Sequence, residues 1–130
     1  MVIPKAFGTI WQLNENYKQM KVQDIVDKLG LKVCSGSTGL NREIEGGYTS
    51  DLLSDVMGNA DENQVWVTLQ THKNIMAIAS LKELAAIILV KGYEPEADAA
   101  EQSNLEGIPI LSSEEEAFEL TGKLFDILKK

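Results

Sequence analysis

Asn41-Arg42-Glu43-Ile44-Glu45-Gly46-Gly47-Tyr48-Thr49-Ser50-Asp51-Leu52-Leu53-Ser54-Asp55-Val56-Met57 is the stretch that decides how this chain is read. An arginine and an acid-rich turn lead into two adjacent glycines. Ile44 to Thr49 reads as a strand bearing that pair. Ser50 can cap a helix running through about Met57, with Leu52, Leu53, Val56 and Met57 on its apolar face. Gly46 and Gly47 have no Cβ, so a ligand or partner backbone can approach closely there; a bulge or tight crossing inside the domain uses glycine equally well. Arg42 is the only arginine. Its planar guanidinium suits a bidentate anchor to a carboxylate, a phosphate or carbonyls across an interface, or a clamp on its own turn. Asp51 and Asp55 stand one helical turn apart. Such a pair can hold a cation, or it can be a solvated face with Asp51 favourable at the helix N-terminus.

Toward the N-terminus, Val22, Ile25, Val26 and Leu29 recur at helical spacing, and Gly30 is the expected residue just past the helix end. A short strand, 31–34, follows and carries Cys34. Ser35-Gly36-Ser37-Thr38-Gly39 is a loop by composition. It can present amides and hydroxyls to a phosphate, but it lacks the Gly-Lys-Ser/Thr ending of a P-loop. Residues 1–19 show no sustained period. They are expected to be an N-terminal extension dispensable for the fold, either an over-called leader before Met20 or a genuine arm, with a single domain at 20–130.

Toward the C-terminus, Gln64 to Leu69 reads as a strand. Thr71-His72-Lys73-Asn74 is expected to be a turn, and Ile75 to Ala79 a buried strand. Ser80 to Glu83 has a capping-box pattern that would open a short helix. Residues 86–90 form another apolar run. Pro95 can begin a helix to about Leu105, ended by Gly107, before a strand at 108–111. Ser113 to Glu116 is a second capping box, opening a terminal helix with Ala117, Leu120, Leu124 and Leu128 on one face. His72 is the only histidine. It can act as a general base or pH-sensitive contact, or serve as a surface or capping residue. Apolar strands separated by helices imply a sheet covered on both faces. The expectation is an α/β fold, a three-layer α/β/α sandwich with a mostly parallel central sheet. The strands 75–79, 86–90 and 108–111 are expected as its parallel neighbours.

The totals narrow the function classes. The chain has 130 residues, 44% apolar and 25% charged, as in ordinary soluble domains. Its net charge of −8 disfavours nucleic acid and acidic membrane surfaces as partners. The single cysteine excludes an internal disulfide and fits a cytoplasmic setting. No apolar run reaches the ~20 residues that span a bilayer, and the start makes a poor signal peptide.

The order Arg42, Gly46-Gly47, Tyr48, Asp51, Leu52-Leu53, Ser54 resembles the DRTGG domain. So do Val65-Trp66-Val67-Thr68, Gln70-Thr71-His72 with Asn74-Ile75, Leu84-Ala85-Ala86-Ile87-Ile88 with Gly92, and Gly107-Ile108-Pro109-Ile110-Leu111. The resemblance covers roughly residues 21–128. It departs at Asn41, where the family has Asp. It implies a fold related to the N-terminal domain of HPr kinase/phosphorylase. It also implies the role of a regulatory or dimer-forming companion of CBS domains in pyrophosphatases, or of the catalytic part of some phosphotransacetylases. It brings no catalytic residues and no cofactor.

The leading expectation is therefore a non-catalytic, cytoplasmic regulatory module that forms a homodimer and acts through a protein partner. Its ligand or interface candidates are Arg42, Gly46, Gly47, Tyr48, Asp51 and His72, with no metal. Helix 50–57 and the double-glycine strand are the expected dimer surface. The alternative is a sensor of a nucleotide or phosphorylated metabolite near residues 35–47. An enzyme using His72 or Asp51 is the third reading.

Overall fold

The structure, a computed structural model, describes residues 19–129; all of the N-terminal extension except Gln19 lies outside them. In chain order the elements are α1 (Val22–Leu29), β1 (Lys32–Ser35), a 3-10 turn (Ser37–Gly39), β2 (Gly46–Thr49), α2 (Leu53–Asn59) and β3 (Gln64–Thr68). Then come α3 (Asn74–Leu81), β4 (Ala86–Leu89), α4 (Ala97–Glu106), β5 (Ile110–Ser112) and α5 (Ala117–Leu128). The strands form one sheet in the order β1-β5-β4-β3-β2. β2, β3, β4 and β5 run parallel, and β1 pairs antiparallel with β5.

Strand alternation divides the apolar residues between two faces. Val65, Val67, Ala86, Ile88 and Leu111 pack with Val22 and Ile25 of α1 and Leu120 and Leu124 of α5. Trp66, Ile87, Leu89 and Ile110 pack with Val56 of α2, Ile75 and Met76 of α3, and Ala99 of α4. This is the expected three-layer α/β/α sandwich. Trp66 is wholly buried, and its indole N–H donates to the Ser50 carbonyl at 2.8 Å, which joins β3 to the end of β2.

Three sequence expectations change. The run Ile75–Ala79 is helix, not strand, so β3 takes its place among the parallel neighbours. Ile75, Met76, Ile78 and Ala79 are buried, and the exposed Ala77 and Leu81 are apolar too, so no polar residue marks the outer face by its period. Ser80 to Glu83 consequently ends that helix rather than opening one. Lys82 N–H donates to Ile78 O, Glu83 N–H donates to Ser80 O, and Glu83 takes φ +55°. Finally, both serines expected to cap helices sit short of them. Ser50 Oγ accepts from Leu52 N–H and Ser113 Oγ from Glu115 N–H, so α2 starts at Leu53 and α5 at Ala117.

Helix α1, strand β4 and the end of α4 at Gly107 lie where the sequence puts them, with Gly30 and Gly107 left-handed at φ +64° and +65°. Cys34 is half-buried on β1, and burial raises the pKa of its thiol.

Candidate functional site

The six candidate residues do not converge. Arg42 lies at the end of the sheet where the parallel strands begin. Asp51 and His72 lie where strands end. Between them run Gly46, Gly47 and Tyr48 on β2, an edge strand whose only partner among the described residues is β3.

At the first end, the 35–42 segment is tied to the far side of the sheet. Ser35 Oγ donates to Ser103 Oγ at 2.8 Å, and Ser103 Oγ donates to Ile108 O at 2.6 Å; both serines are buried. The Gly36 N–H donates to Asn104 Oδ1 at 2.7 Å. A Cβ on Gly36 would stand 2.5 Å from the Ile108 carbonyl oxygen, and one on Gly39 would run into that of Gly107. Arg42 completes the arrangement. Its Nε donates to Gly107 O at 2.7 Å and its Nη2 to Glu106 O at 3.4 Å. These are the carbonyls that a helix C-terminus leaves without partners, and a cation there opposes the negative end of the helix dipole. Of the roles open to Arg42 from sequence, its atoms are engaged in a clamp within the chain. The loop's glycines serve close packing, and its first amide is already bonded.

At the other end, Asp51 Oδ1 accepts from Thr68 Oγ1 at 2.9 Å and from Leu69 N–H at 2.7 Å, while Gln70 Nε2 donates to Asp51 O. Asp51 thus closes the loop after β3 onto the loop after β2. Asp55 is occupied elsewhere. It accepts from Tyr48 Oη at 2.9 Å, and hydrogen bonds from Ser50, Tyr48 and Asn59 hold its carboxyl below the usual aspartate range. That same bond raises the Tyr48 phenol, with burial adding to it. The two aspartates therefore bond to different partners. His72 is exposed, with Nδ1 accepting from Asn74 N–H at 3.1 Å. Among the described residues no group of His, Cys, Asp and Glu is placed to hold a metal.

β2 itself differs from both ends. A Cβ on Gly47 would meet Leu124 Cδ2 at 3.5 Å and Val65 O at 3.6 Å, which is ordinary contact. Gly47 does not have a positive φ. Its missing side chain leaves a groove of about 450 Å³ between β2 and α5, lined by Gly47, Thr49, Thr121, Leu124, Phe125 and Leu128 among others. Phe118 and Phe125 on α5 are 86% and 70% exposed, and Leu52 and Met57 beside α2 are 64% and 42% exposed. Sequence reasoning missed the phenylalanines, because the face Ala117, Leu120, Leu124 and Leu128 accounts for the helix's burial. Their own spacing, seven apart with Thr121 and Gly122 between, marks a second apolar stripe on the same helix.

The parallel run β2 to β5 steps one way across the sheet, and α2, α3 and α4 all cover one face. Open α/β sheets bind ligands where the strand order reverses, and no reversal occurs within this run.

No protein-family model matches the chain, and no curated protein matches it either. Among solved structures it is similar to the CBS and DRTGG domains of the regulatory region of a Clostridium perfringens pyrophosphatase, crystallised with its activator, diadenosine tetraphosphate. The TM-score is 0.63 at 12% sequence identity, covering 81% of this chain and 45% of that one. At that identity the likeness is one of α/β fold. Among the described residues no helix is long and apolar enough to cross a membrane.

Proposed function

We propose that this chain is a non-catalytic regulatory and dimerisation module that acts through a protein partner. The observation that carries the reading is the exposed apolar surface flanking β2, with Leu52 and Met57 on one side of the sheet and Phe118 and Phe125 on the other. Large apolar side chains grouped around one edge are what a protein interface needs. The fold likeness to a regulatory region agrees with this role. So does the engagement of Arg42, Asp51 and Asp55 in bonds within the chain, which leaves no nucleophile–base pair among the candidates.

Two copies meet, in this reading, through the α2 side of the β2 edge. A stable contact should bury more than about 1,000 Å² in total. Light scattering at tens of micromolar should give the mass of a dimer, and Leu52→Asp combined with Met57→Asp should return the monomer. A wild-type monomer across that range would contradict the proposal.

A second reading, a sensor of a nucleotide or phosphorylated metabolite, is raised by the dinucleotide activator bound in the similar structure. Residues 35–47 are a poor place for it, since the Gly36 amide and the Arg42 guanidinium are already bonded. A nucleotide at a hundred times its dissociation constant would stabilise the fold by about 2.7 kcal/mol, so thermal shift separates the two readings.

A further inference from the structure

Helix α5 carries an apolar face that the core does not use. Leu120 and Leu124 are buried beneath the helix, whereas Phe118 is 86% exposed and Phe125 70%. Gly122 is exposed between the two phenylalanines, four residues after the first and three before the second. That spacing puts all three on one side of the helix, about 200° round from Leu120 and Leu124 at Gly122. A shallow depression of about 750 Å³ lies along this side, lined by Phe118, Thr121, Gly122 and Phe125 among others.

Gly122 stands in the interior of α5, Ala117–Leu128, where glycine weakens a helix. No described residue asks for it. A Cβ there would meet nothing within 4 Å, and its φ is not positive. A glycine at the centre of an exposed helical face does let a second backbone come close. The charges of the segment select the direction of that backbone. Glu114, Glu115, Glu116 and Glu119 precede Gly122. Lys123 and Lys129 follow it, with Asp126 the one acid there among the described residues. A second α5 laid antiparallel, with a two-fold axis at Gly122, sets each acidic end beside the other's lysines; a parallel one sets like charges together. Both lysines hold exposed ion pairs within the chain at 2.9 Å, to Glu115 and Asp126, and pairs open to water are worth little. Phe118 lies about 6 Å from Gly122 along the axis and Phe125 about 4.5 Å the other way. The two-fold therefore brings Phe118 against Phe125 of the partner subunit.

We propose that the Phe118, Gly122 and Phe125 face of α5 is a contact between two copies of this chain, packed antiparallel about a two-fold axis at Gly122. The four phenylalanines of such a pair bring roughly 600 Å² to it, short of the roughly 1,000 Å² of a stable contact. The α5 contact is therefore weaker than the α2 contact proposed above and forms at higher concentration. It lies on the other face of the sheet and does not rest on the α2 contact or on the regulatory reading. Where both form, α5 links α2-paired dimers into a larger assembly.

The test is a covalent trap in the full chain. With Cys34→Ser and Gly122→Cys, mild oxidation of a concentrated solution should join two chains, because Cα atoms at such a crossing lie within the roughly 4.4–6.8 Å that a disulfide spans. Asp126→Cys in place of Gly122→Cys should give no bridge, because the antiparallel pair holds the two copies of that position about 12 Å apart along the axis. Adding Leu52→Asp and Met57→Asp removes the α2 contact and should leave the Gly122→Cys bridge in place. Failure of the α2 contact is thus read apart from failure of this one. Gly122→Ala gives a second reading. It should raise the melting temperature in dilute solution, alanine being the better helix former, and lower the associated fraction in sedimentation of a concentrated one. Equal bridging from Gly122→Cys and Asp126→Cys would overturn the proposal, as would loss of the bridge with the α2 contact or association unchanged by Gly122→Ala. No bridge from Gly122→Cys would also overturn it and leave the face to residues 1–18 or to a different protein.

Discussion

The Ser35–Gly39 turn and the Gly46-Gly47 strand carry glycine for opposite reasons. At Gly36 and Gly39 the backbone of another segment, Gly107 to Ile108, stands where a side chain would be. At Gly46 and Gly47 there is room, and the missing side chain makes a groove instead of a close crossing. The first region is closed on itself through Ser35, Ser103, Asn104 and Arg42. The second presents a strand edge with no partner among the described residues, and exposed phenylalanines. The composition that suggested a phosphate loop belongs to the region whose Gly36 amide and Arg42 guanidinium are bonded within the chain. The glycine pair, for which a tight crossing was one reading, belongs to the region with surface to give.

The largest expected effect separates the two glycine sites. Gly39→Ala forces a Cβ into the Gly107 carbonyl, and relieving that contact requires two backbone segments to part. It should cost about 3 kcal/mol or more by chemical denaturation, at the upper end of overpacking effects. Gly47→Ala meets only Leu124 and Val65 at contact distance and should change stability by less than about 1 kcal/mol. A larger loss from Gly47→Ala would reverse the comparison.

Arg42 sharpens it. Arg42→Met keeps much of the side chain's length but leaves the Glu106 and Gly107 carbonyls without their donor. It should destabilise the fold by about 2 kcal/mol, the range for hydrogen bonds to charged groups. Arg42→Lys should recover only part of that, because one ammonium does not reproduce the guanidinium fork. Full rescue by lysine in a melting experiment would mean that charge, and not the paired bonds, holds the end of α4.

How much of this was legible in the sequence follows the range of the interactions involved. The α1 helix, β3, β4 and the stop at Gly107 follow from local period and from glycine's left-handed preference, so they could be read directly. The α3 helix was not, because its exposed positions Ala77 and Leu81 are apolar too, which erases the period, and a run of five apolar residues fits a strand equally well. Arg42 and Gly39 act across more than sixty residues of chain, on Gly107 and its neighbours. No spacing within 35–47 points to that partner. The edge position of β2 is likewise a property of strand order. The exposed stripe of Phe118 and Phe125 could have been found, since it needs only the helical period applied a second time to α5.

The smallest expected effect lies on the open side, at Tyr48 and Asp55. Asp55 has a lowered pKa in the folded chain. Its contribution is therefore complete above the ordinary aspartate value of about 4 and is lost as pH falls through the folded value. Tyr48 has a raised pKa. Its contribution is present below the ordinary tyrosine value of about 10 and is lost as pH rises through the folded one. Tyr48→Phe should lower the melting temperature slightly near neutrality and converge on the unmodified protein at both pH extremes, which flattens the profile. A new step in that profile near neutral pH would implicate another group on that face.

Self-association read residue by residue is the most direct measurement of the contrast. Amide resonances of the full chain, followed from dilute to concentrated solution, should shift at Leu52, Met57 and their neighbours and stay fixed at Ser35 to Arg42. Shifts confined to residues 35–42, or none at any concentration, would contradict the division of the molecule into a closed structural end and an open interacting edge.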